Sequence, residues 1–374
     1  MKNKILHIIT GLELGGAETT LKKLAIKQNH CEENDLLIIS LRSIGKIGLI
    51  LRQNGIQVKA LNINSIFSLA SGIIRLRIEI KNFSPSIVQT WLYHADLIGG
   101  LTAYSLGIKK IFWGIRSTDI SFSSGLTTIF IQRICVILSY FIPYKIIVAA
   151  EESKKFHINI GYCKKKMIVI NNGFEVPSTR IKSRGFNSLN KILGINKNDF
   201  ILGSVGRYTP VKDHATLISA VSSLFMDYKN LKILLIGHGL DYKNKELIEL
   251  IKKTGFLERF ILLGKRESRF YYSLMNIFCL HSRSEGFPNV LCEALLYNLP
   301  CIATNVGDAK KILNQYGFII QPNNIIELRE HIKKIINMDK KEINRLTHGS
   351  DRSIIKRFSI SSIEKKYKSV YTNS

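Results

Sequence analysis

Two glutamates eight residues apart form the most specific chemical pattern in this sequence. Glu285 follows a short apolar run, and Glu293 lies two turns into the helix predicted after it. Ionised carboxylates only accept hydrogen bonds, which suits the binding of sugar and ribose hydroxyls. The turn between them leaves backbone N–H groups free at the start of the helix, and its proline fits the first helical turn. That turn consists of Gly286, Phe287, Pro288, Asn289 and Val290.

Two cations lie in a loop that follows another predicted strand. Arg207 and Lys212 flank a turn that ends at Asp213, where we predict a helix N-cap. The planar fork of an arginine and the point charge of a lysine, placed beside a helix N-terminus, suit a diphosphate. The alternative is a solvated loop whose charges are incidental in so basic a chain.

A glycine-bearing loop joins the first predicted strand to the first predicted helix. It contains Gly15 and Gly16, directly before a helical pattern. Glycines let backbone N–H groups approach a phosphate, and a helix N-terminus favours negative charge. A tight connection between strand and helix is the alternative, because the loop lacks the G-x-G-x-x-G spacing of a dinucleotide site.

Two more polar residues follow strands in the first half of the chain. His94 comes after the strand predicted at 87–91, and it is either a ligand-facing residue or a buried histidine with its hydrogen bonds satisfied. Arg116 comes after the next strand, where it either contacts an acceptor phosphate or forms a structural ion pair.

The elements that must position these residues alternate between strand and helix, which predicts parallel, doubly wound sheets. Short β-branched runs predict strands over 4–9, 35–40, 57–63, 87–91, 110–114, 145–150, 167–171, 200–205, 232–236, 260–263, 277–281, 300–304 and 318–320. Helical periodicity covers 17–28, 73–81, 213–228, 243–253, 267–275, 288–297, 325–337 and 359–372.

The alternation is interrupted once, between residues 173 and 198, by glycine, proline, serine and asparagine. We place the linker there. The sequence therefore predicts one domain over residues 1–175, with 359–374 packing back on it, and a second over 190–358. Ligands of such sheets bind outside the carboxyl ends of the strands.

The charge balance is strongly basic. The 374 residues include 54 Lys and Arg against 28 Asp and Glu, a formal net charge of +26, and the excess is spread over both halves. A basic surface favours an anionic partner such as nucleic acid, lipid headgroups or phosphorylated substrates. The alternative is coding bias, because the chain is rich in Lys, Ile and Asn together, as expected from an AT-rich genome.

Several classes of function find no support in the sequence. It has no Asp-x-Asp triplet and no metal-ligand spacing, so we expect no catalytic metal and no cofactor. No standard nucleic-acid module is evident, so we expect no nucleic-acid partner. The six cysteines lack C-x-x-C spacing, which favours a reducing compartment. The first ten residues predict a strand rather than a signal peptide, and no apolar run reaches the roughly 18–20 residues of a spanning helix.

Together, in order and spacing, these motifs resemble those of the retaining GT-B glycosyltransferases, especially the large family 4. Residues 285–293 match the E-x7-E signature of that family. Gly237-His238-Gly239 resembles its Gly-x-Gly turn, residues 169–173 resemble its interdomain segment, and 359–372 resemble the terminal helix that crosses back to the first domain. The resemblance implies two Rossmann-like α/β domains with a ligand cleft between them.

The resemblance implies a role for each motif in the second domain, which would bind the nucleotide sugar. Arg207 and Lys212 would neutralise the donor diphosphate and the charge on the leaving group. Glu285 would contact the donor sugar, and Glu293 would hold the ribose. Amides of residues 286–290 would support the sugar and the phosphate.

The first domain would bind the acceptor. The resemblance implies that Gly16 lets the N-terminal loop approach the donor and that His94 lies near the donor sugar and the acceptor. We assign Gly15 and Arg116 to the acceptor side. The resemblance also implies catalysis without a metal.

These features predict a retaining hexosyl- or N-acetylhexosaminyl-transferase that uses a nucleotide sugar, with UDP favoured. Basicity and the resemblance favour a lipid-linked or otherwise anionic glycan acceptor, and a cytoplasmic protein peripheral to the inner face of the plasma membrane. Two alternatives stay open: a GT-B-like sugar-nucleotide epimerase or hydrolase, and a non-catalytic, basic membrane-binding protein.

Overall fold

The computed structural model describes residues 3–65, 67–116, 125–176 and 189–373. The chain divides into two compact units. Unit 1 comprises Met1–Glu175 and Arg357–Ser374, and unit 2 comprises Val176–Lys356. No helix in the described part of the chain is long and apolar enough to cross a membrane.

The sheet of unit 1 is parallel and has the strand order β3-β2-β1-β4-β5-β6-β7. Its strands are short apolar runs, buried because helices cover both faces of the sheet. They are β1 (Asn3–Ile9), β2 (Asn34–Ser40), β3 (Gln57–Ala60), β4 (Ile87–Trp91), β5 (Ile111–Ile115), β6 (Lys145–Val148) and β7 (Met167–Val169).

The helices of unit 1 cover two separate cores, one on each face of the sheet. The alternation of β1 shows this division, because Leu6 and Ile8 belong to one core and Ile5 and Ile9 to the other. The described helices are α1 (Gly16–Asn29), α2 (Gly45–Gln53), α3 (Leu69–Phe83), α4 (Tyr93–Ser105), α5 (Leu126–Leu138) and α6 (Glu151–Asn159).

The sheet of unit 2 is also parallel, in the order β10-β9-β8-β11-β12-β13. Its strands are β8 (Phe200–Val205), β9 (Leu231–Ile236), β10 (Phe260–Leu262), β11 (Ile277–Leu280), β12 (Cys301–Thr304) and β13 (Gly317–Ile320). The described helices that follow α6 are α7 (His214–Ser222), α8 (Lys245–Lys252), α9 (Asn289–Leu296), α10 (Ala309–Leu313), α11 (Ile325–Ile336), α12 (Lys340–Thr347), α13 (Ser350–Phe358) and α14 (Ile360–Thr372).

The last helix, α14, belongs to unit 1 and packs against α1. Tyr367 and Tyr371 insert into the core on that face of the sheet. The start of α14 is fixed by Phe174, which exchanges backbone hydrogen bonds with Phe358 and Ile360. The apolar face of this polar helix therefore completes the core of unit 1.

The predicted fold class of two parallel, Rossmann-like sheets is confirmed, and the predicted strand over 200–205 coincides with β8. Two helix predictions need correction. The pattern at 213–228 forms a helix only as far as Ser222. The helix predicted at 267–275 is wrong, because Ser268–Phe270 and Tyr272–Leu274 are separate 3₁₀ turns. Aromatic residues there have low helix propensity, and their tertiary contacts fix the shape of the segment.

Each sheet has one position where the chain order reverses direction. In unit 1 it lies between β1 and β4, and in unit 2 between β8 and β11. Loops that leave adjacent strands there run in opposite directions, which opens a crevice at the carboxyl ends of the strands. The candidate residues that follow β1, β4, β8 and β11 lie at these two positions.

Gly237, directly after β9, lies where two loops of unit 2 approach each other closely. Its φ is +151°, and a Cβ there would lie 1.6 Å from the carbonyl oxygen of Gly206. We expect Gly237→Ala to destabilise unit 2 by more than about 2 kcal/mol, since both the backbone and the contact are incompatible with a side chain. Gly255→Ala is the control, because its φ is +79° but a Cβ there would lie more than 4 Å from every atom of the residues that the structure describes. Urea unfolding monitored by circular dichroism measures both, and equal losses would contradict this view of the loop.

Candidate functional site

Three bonds join the loops that follow β8 and β11 in unit 2. The Lys212 Nζ lies 2.5 Å from the Glu285 Oε1, and the Arg283 Nη2 lies 2.9 Å from the Asp213 Oδ1. The Arg283 backbone N–H donates to the Val211 carbonyl at 2.8 Å. The reversal of strand order therefore brings together residues that are about 70 positions apart in the chain.

The carboxylate of Glu285 is held by two donors. Lys212 and the hydroxyl of Ser282, at 2.6 Å, both donate to its Oε1. The side chains of Lys212 and Glu285 are only 22% and 12% exposed, so the pair is partly desolvated. Removing either partner would leave a poorly solvated charge. The arrangement places a cation and an acceptor-only group side by side at the edge of the sheet.

Asp213 does not have the predicted role of a side-chain N-cap. It precedes α7 in a left-handed conformation, with φ +54°, and its side chain makes no capping hydrogen bond to the helix backbone. One carboxylate oxygen accepts from Arg283, and the other accepts from the hydroxyl of Thr216 at 2.7 Å. Both carboxylate oxygens are thus engaged by side chains, and neither caps a backbone N–H of the helix.

The three bonds between these loops (Lys212 to Glu285, Arg283 to Asp213, and Arg283 to Val211) are called the latch, and two buried histidines lie beside it. The His281 Nε2 is 2.8 Å from the Ser204 Oγ, and the rings of His214 and His281 are 4.9 Å apart. Burial lowers the pKa of His281 to about 4. Burial, with the nearby His281 and Lys212, lowers the pKa of His214 to about 2. Both imidazoles are therefore neutral at pH 7 and leave the positive charge of the site to lysine and arginine.

The second glutamate has its own pair of donors. The Glu293 Oε2 accepts from the hydroxyl of Tyr272 at 2.8 Å and from that of Ser268 at 3.1 Å. Tyr272 is fully buried, and burial beside Glu293 raises the pKa of its hydroxyl, which therefore stays protonated and donates. The two 3₁₀ turns thus orient a carboxylate on α9.

The loop after β12 packs against the turn between the two glutamates. A Cβ at Gly307, whose φ is +52°, would lie 2.3 Å from the Gly286 carbonyl oxygen. That oxygen accepts from the Asp308 backbone N–H at 2.9 Å. Pro288 was predicted to be the first residue of the helix. It instead occupies the N-cap position of α9, and Asn289 is the first helical residue. Phe287 is buried, and the Val290 carbonyl lies 3.4 Å from the Tyr272 hydroxyl.

Arg207 projects from the same edge of the sheet and is exposed to solvent. It follows Gly206, whose carbonyl touches Gly237 in the loop after β9. The side chain is thus available to an incoming anion, while the backbone beneath it is fixed by a contact that only glycine permits.

The candidate residues of unit 1 lie after β1 and β4. Gly15 is the extended N-cap residue of α1, and a Cβ at Gly16 would meet no atom of the described part of the chain within 4 Å. His94 is the second residue of α4, after Leu92, whose φ is +73°. Partial burial lowers the pKa of His94, and the charge of Arg42 lowers it further.

Arg116 contacts protein groups within unit 1. Its guanidinium donates to the Ile170 carbonyl and the Asn172 side chain, each at 3.3 Å, and to the Tyr367 hydroxyl. It also lies 4.7 Å from the centre of the Trp91 ring. These contacts fix the ends of β4, β5 and β7 and the last helix relative to one another.

Unit 2 therefore brings Lys212 and Glu285 into direct contact and holds Glu293 through separate donors. Among residues 3–65, 67–116, 125–176 and 189–373, no group of three or more His, Cys, Asp or Glu residues could hold a metal ion.

Residues 186–350 match the family model of glycosyl transferases group 1. This matched segment is less than half of the chain and lies within unit 2, and we call it the group 1 domain. The match covers the latch, both glutamates and the turn between them.

Three curated relatives resemble this chain. An uncharacterized glycosyltransferase of Methanocaldococcus jannaschii is 31% identical over 60% of this chain and 57% of its own length. The capsular polysaccharide biosynthesis glycosyltransferase CapM of Staphylococcus aureus is 24% identical over 82% of each chain. The UDP-Gal:α-D-GlcNAc-diphosphoundecaprenol α-1,3-galactosyltransferase of Escherichia coli is 24% identical over 83% of this chain and 81% of its own. The match to the first relative thus spans less than two thirds of that protein.

A solved structure extends the likeness to the whole chain. Anabaena Alr3699/HepE in complex with UDP superposes with a TM-score of 0.86 over 100% of both chains, at 20% identity. This likeness establishes the fold, that of the GT-B glycosyltransferases with two Rossmann-like sheets.

Sequence reasoning missed several residues of the group 1 domain. Ser282 and Arg283 stand three and two residues before Glu285, and this proximity was the available signal. Ser268 and Tyr272 lie more than 20 residues before Glu293, and no local pattern connects them to it. Arg283, the partner of Asp213, lies 70 residues away from it, so no local pattern connects those two residues either.

The neutral His214 makes the stability of the group 1 domain depend on pH. Its folded pKa is depressed, so the unfolded chain binds a proton below pH 6.5 that the folded domain does not bind until about pH 2. Stability is therefore lost as pH falls below 6.5. Neither ring nitrogen has a hydrogen-bond partner among the described residues. We expect His214→Phe to reduce the loss between pH 7 and pH 5 by roughly 2 kcal/mol.

Tryptophan fluorescence would report on unit 1, because both tryptophans, Trp91 and Trp113, lie there. Hydrogen exchange of peptides from β8 and β9 therefore measures this effect. Comparing each protein with itself at the two pH values removes any packing cost of the larger ring. The exposed His348→Phe is the control and should keep the wild-type loss. An unchanged pH dependence in His214→Phe would show that this histidine is protonated in the folded domain.

Proposed function

We propose that this chain is a glycosyltransferase that moves a hexose or N-acetylhexosamine from a UDP-sugar to a lipid-linked glycan, with retention and without a metal ion. The observation that carries the proposal is the contact of Lys212 with Glu285 where the strand order of unit 2 reverses. A cation for the diphosphate and a carboxylate for the sugar hydroxyls stand there side by side.

The charge of the donor supports the roles given to the two cations. Departure of a nucleoside diphosphate builds negative charge on the phosphate oxygen that leaves the sugar. Lys212 is rigidly held and partly desolvated, so it acts strongly on a nearby phosphate. Arg207 is exposed and can add a fork of donors. These two residues take the place that a metal ion has in other transferases.

The two glutamates divide the donor between them. Glu285 follows β11 at the strand-end crevice, where we place the sugar. Glu293 lies two helical turns further on, where we place the ribose. The amides of residues 286–290 would support the sugar and the phosphate. Gly16 would let the N-terminal loop approach the donor, since no atom of the described residues lies within 4 Å of the position of its missing Cβ.

The acceptor side of the proposal rests on unit 1 and the relatives. His94 and Gly15 lie after the strands where the order of the first sheet reverses. The Escherichia coli relative is named for a diphosphoundecaprenol-linked acceptor, which supports a lipid-linked glycan and a position on the inner face of the plasma membrane. Arg116 is tied to Asn172 and Tyr367, and these contacts favour its structural role over acceptor binding.

A donor and acceptor screen tests the proposal directly. The protein is incubated with UDP-linked hexoses and N-acetylhexosamines and with undecaprenyl-diphosphate-linked saccharides, with and without EDTA. We expect mass spectrometry to show the acceptor heavier by one sugar with a single donor, at the same rate in EDTA, because lysine and arginine supply the positive charge.

Other outcomes contradict particular parts of the proposal. Free altered sugar without any acceptor would indicate an epimerase or a hydrolase. A rate lost in EDTA and restored by manganese or magnesium would overturn metal independence. Binding to membranes with no response to UDP-sugars would leave a non-catalytic protein.

The division of labour between the glutamates gives a sharper prediction. Glu285→Gln should lower turnover strongly while UDP still binds, because its contact strengthens in the transition state. Glu293→Gln should weaken UDP itself by about 1.5–3 kcal/mol, the range for hydrogen bonds to charged groups. Tyr272→Phe, which removes one donor to Glu293, should weaken UDP in the same direction.

Calorimetry with UDP and single-turnover rates with the UDP-sugar measure the two effects. Glu330→Gln, on the exposed face of α11, is the charge-matched control and should change neither. The same loss of UDP affinity and the same rate defect in both glutamate variants would show that the division is wrong.

A further inference from the structure

Helix α5 has an unusual distribution of polar and apolar residues. It buries Gln132 and Cys135, yet Phe130 and Ile137 are 67% and 66% exposed. The inward glutamine donates to the Tyr93 hydroxyl at 3.3 Å, so the orientation of the helix is fixed by a specific contact. A helix on the surface of a globular domain ordinarily turns its apolar side inward. Among the described residues, the outer side of α5 is therefore left exposed.

Four of the exposed apolar residues lie along one side of this segment. Leu126, Phe130, Ile137 and Phe141 are all exposed by more than 60%, at spacings of 4, 7 and 4. These spacings place them on one side of the helix, and the exposed Arg133 fills the remaining position. Phe141 extends the stripe into the turn after α5. We call these four residues the α5 stripe.

The stripe ends at a groove that combines aromatic and cationic residues. Phe141, Tyr104 and Tyr144 line this groove of about 650 Å³ together with Lys109 and Lys166, and its lining contains no carboxylate. Residues 164–166 are three consecutive lysines. Tyrosines with an apolar ring and a polar tip, followed by cations, are typical of the boundary between hydrocarbon and headgroups.

The direction of α5 connects this surface to the candidate acceptor residues of unit 1. The helix follows the carboxyl end of β5 and precedes the amino end of β6. It therefore runs from the edge of the sheet where His94 lies to the edge where the lysines lie. Apolar contact along the stripe would keep the carboxyl edge of this sheet next to the same surface.

We propose that unit 1 docks on an anionic lipid bilayer through the α5 stripe, which enters the interface while the lysines of the groove contact headgroup phosphates. The stripe supplies apolar area, and the surrounding lysines supply the complementary charge. The proposal rests on the proposed function only for its lipid-linked acceptor, and it identifies the face that meets the membrane. Sequence composition gave the charge but not the face.

Vesicle binding tests this surface without any donor or acceptor. The full chain is sedimented with vesicles of neutral phosphatidylcholine and with vesicles containing 30 mol% phosphatidylglycerol, a composition set at roughly the anionic content that gives a strong surface potential. We expect binding to the anionic vesicles that weakens as salt rises. Phe130→Ser with Phe141→Ser should weaken it by at least about tenfold without changing the net charge. Lys109→Gln with Lys166→Gln, the two lysines of the groove, should weaken it and reduce its dependence on salt.

The matched control is Leu49→Ser with Ile326→Ser. These residues are 51% and 66% exposed, on α2 over the opposite face of the sheet and on α11 of unit 2. The control should bind like the wild type, and thermal melting of all variants verifies folding.

Three outcomes would overturn the proposal: no binding of the wild type to anionic vesicles, equal binding of the Phe130 and Phe141 variant, or an equal loss in the control. Analytical ultracentrifugation adds a fourth. If the phenylalanine variant dissociates an oligomer but keeps its vesicle affinity, the stripe joins two copies of this chain. Failure of the transfer assay leaves these results unaffected, so the two proposals fail separately.

Discussion

The contact between Lys212 and Glu285 is the constraint on which the geometry of unit 2 depends. It crosses the position where the strand order reverses, so it closes a gap that the sheet itself leaves open. The neighbouring pair of Arg283 with Asp213 and the backbone bond to Val211 make the crossing rigid. Because the lysine is partly desolvated, its position matters more to an approaching anion than that of a surface lysine would.

The buried histidines beside the latch carry no positive charge that would compete with Lys212. His214 and His281 are neutral at pH 7 because burial lowers the pKa of each. Two protonated imidazoles beside Lys212 would repel it and compete for Glu285. Their rings instead provide apolar packing under a charged edge, and Ser204 satisfies one ring nitrogen of His281.

In unit 1, hydrogen bonds and a ring contact of one arginine connect the elements at the corresponding edge of the sheet. The guanidinium of Arg116 joins the end of β7 to the last helix through Ile170 and Tyr367, and it lies over the ring of Trp91. The return of α14 to unit 1 thus supplies a partner for a half-buried cation as well as apolar area. One sheet edge is closed by an ion pair between loops, and the other by an arginine that needs the final helix.

The sequence by itself determined the alternating α/β fold and the positions of most strands, because buried parallel strands are written as local apolar runs such as β8. It also singled out Glu285, Glu293 and the cations of the loop after β8 as candidate site residues. Only the tertiary structure decided which residues meet. The donors Ser268 and Tyr272, the Asp213–Arg283 pair and the exposed side of α5 depend on contacts between distant segments. The helix predicted at 267–275 failed for that reason, since periodicity records which local face is apolar and not the partner that the face meets.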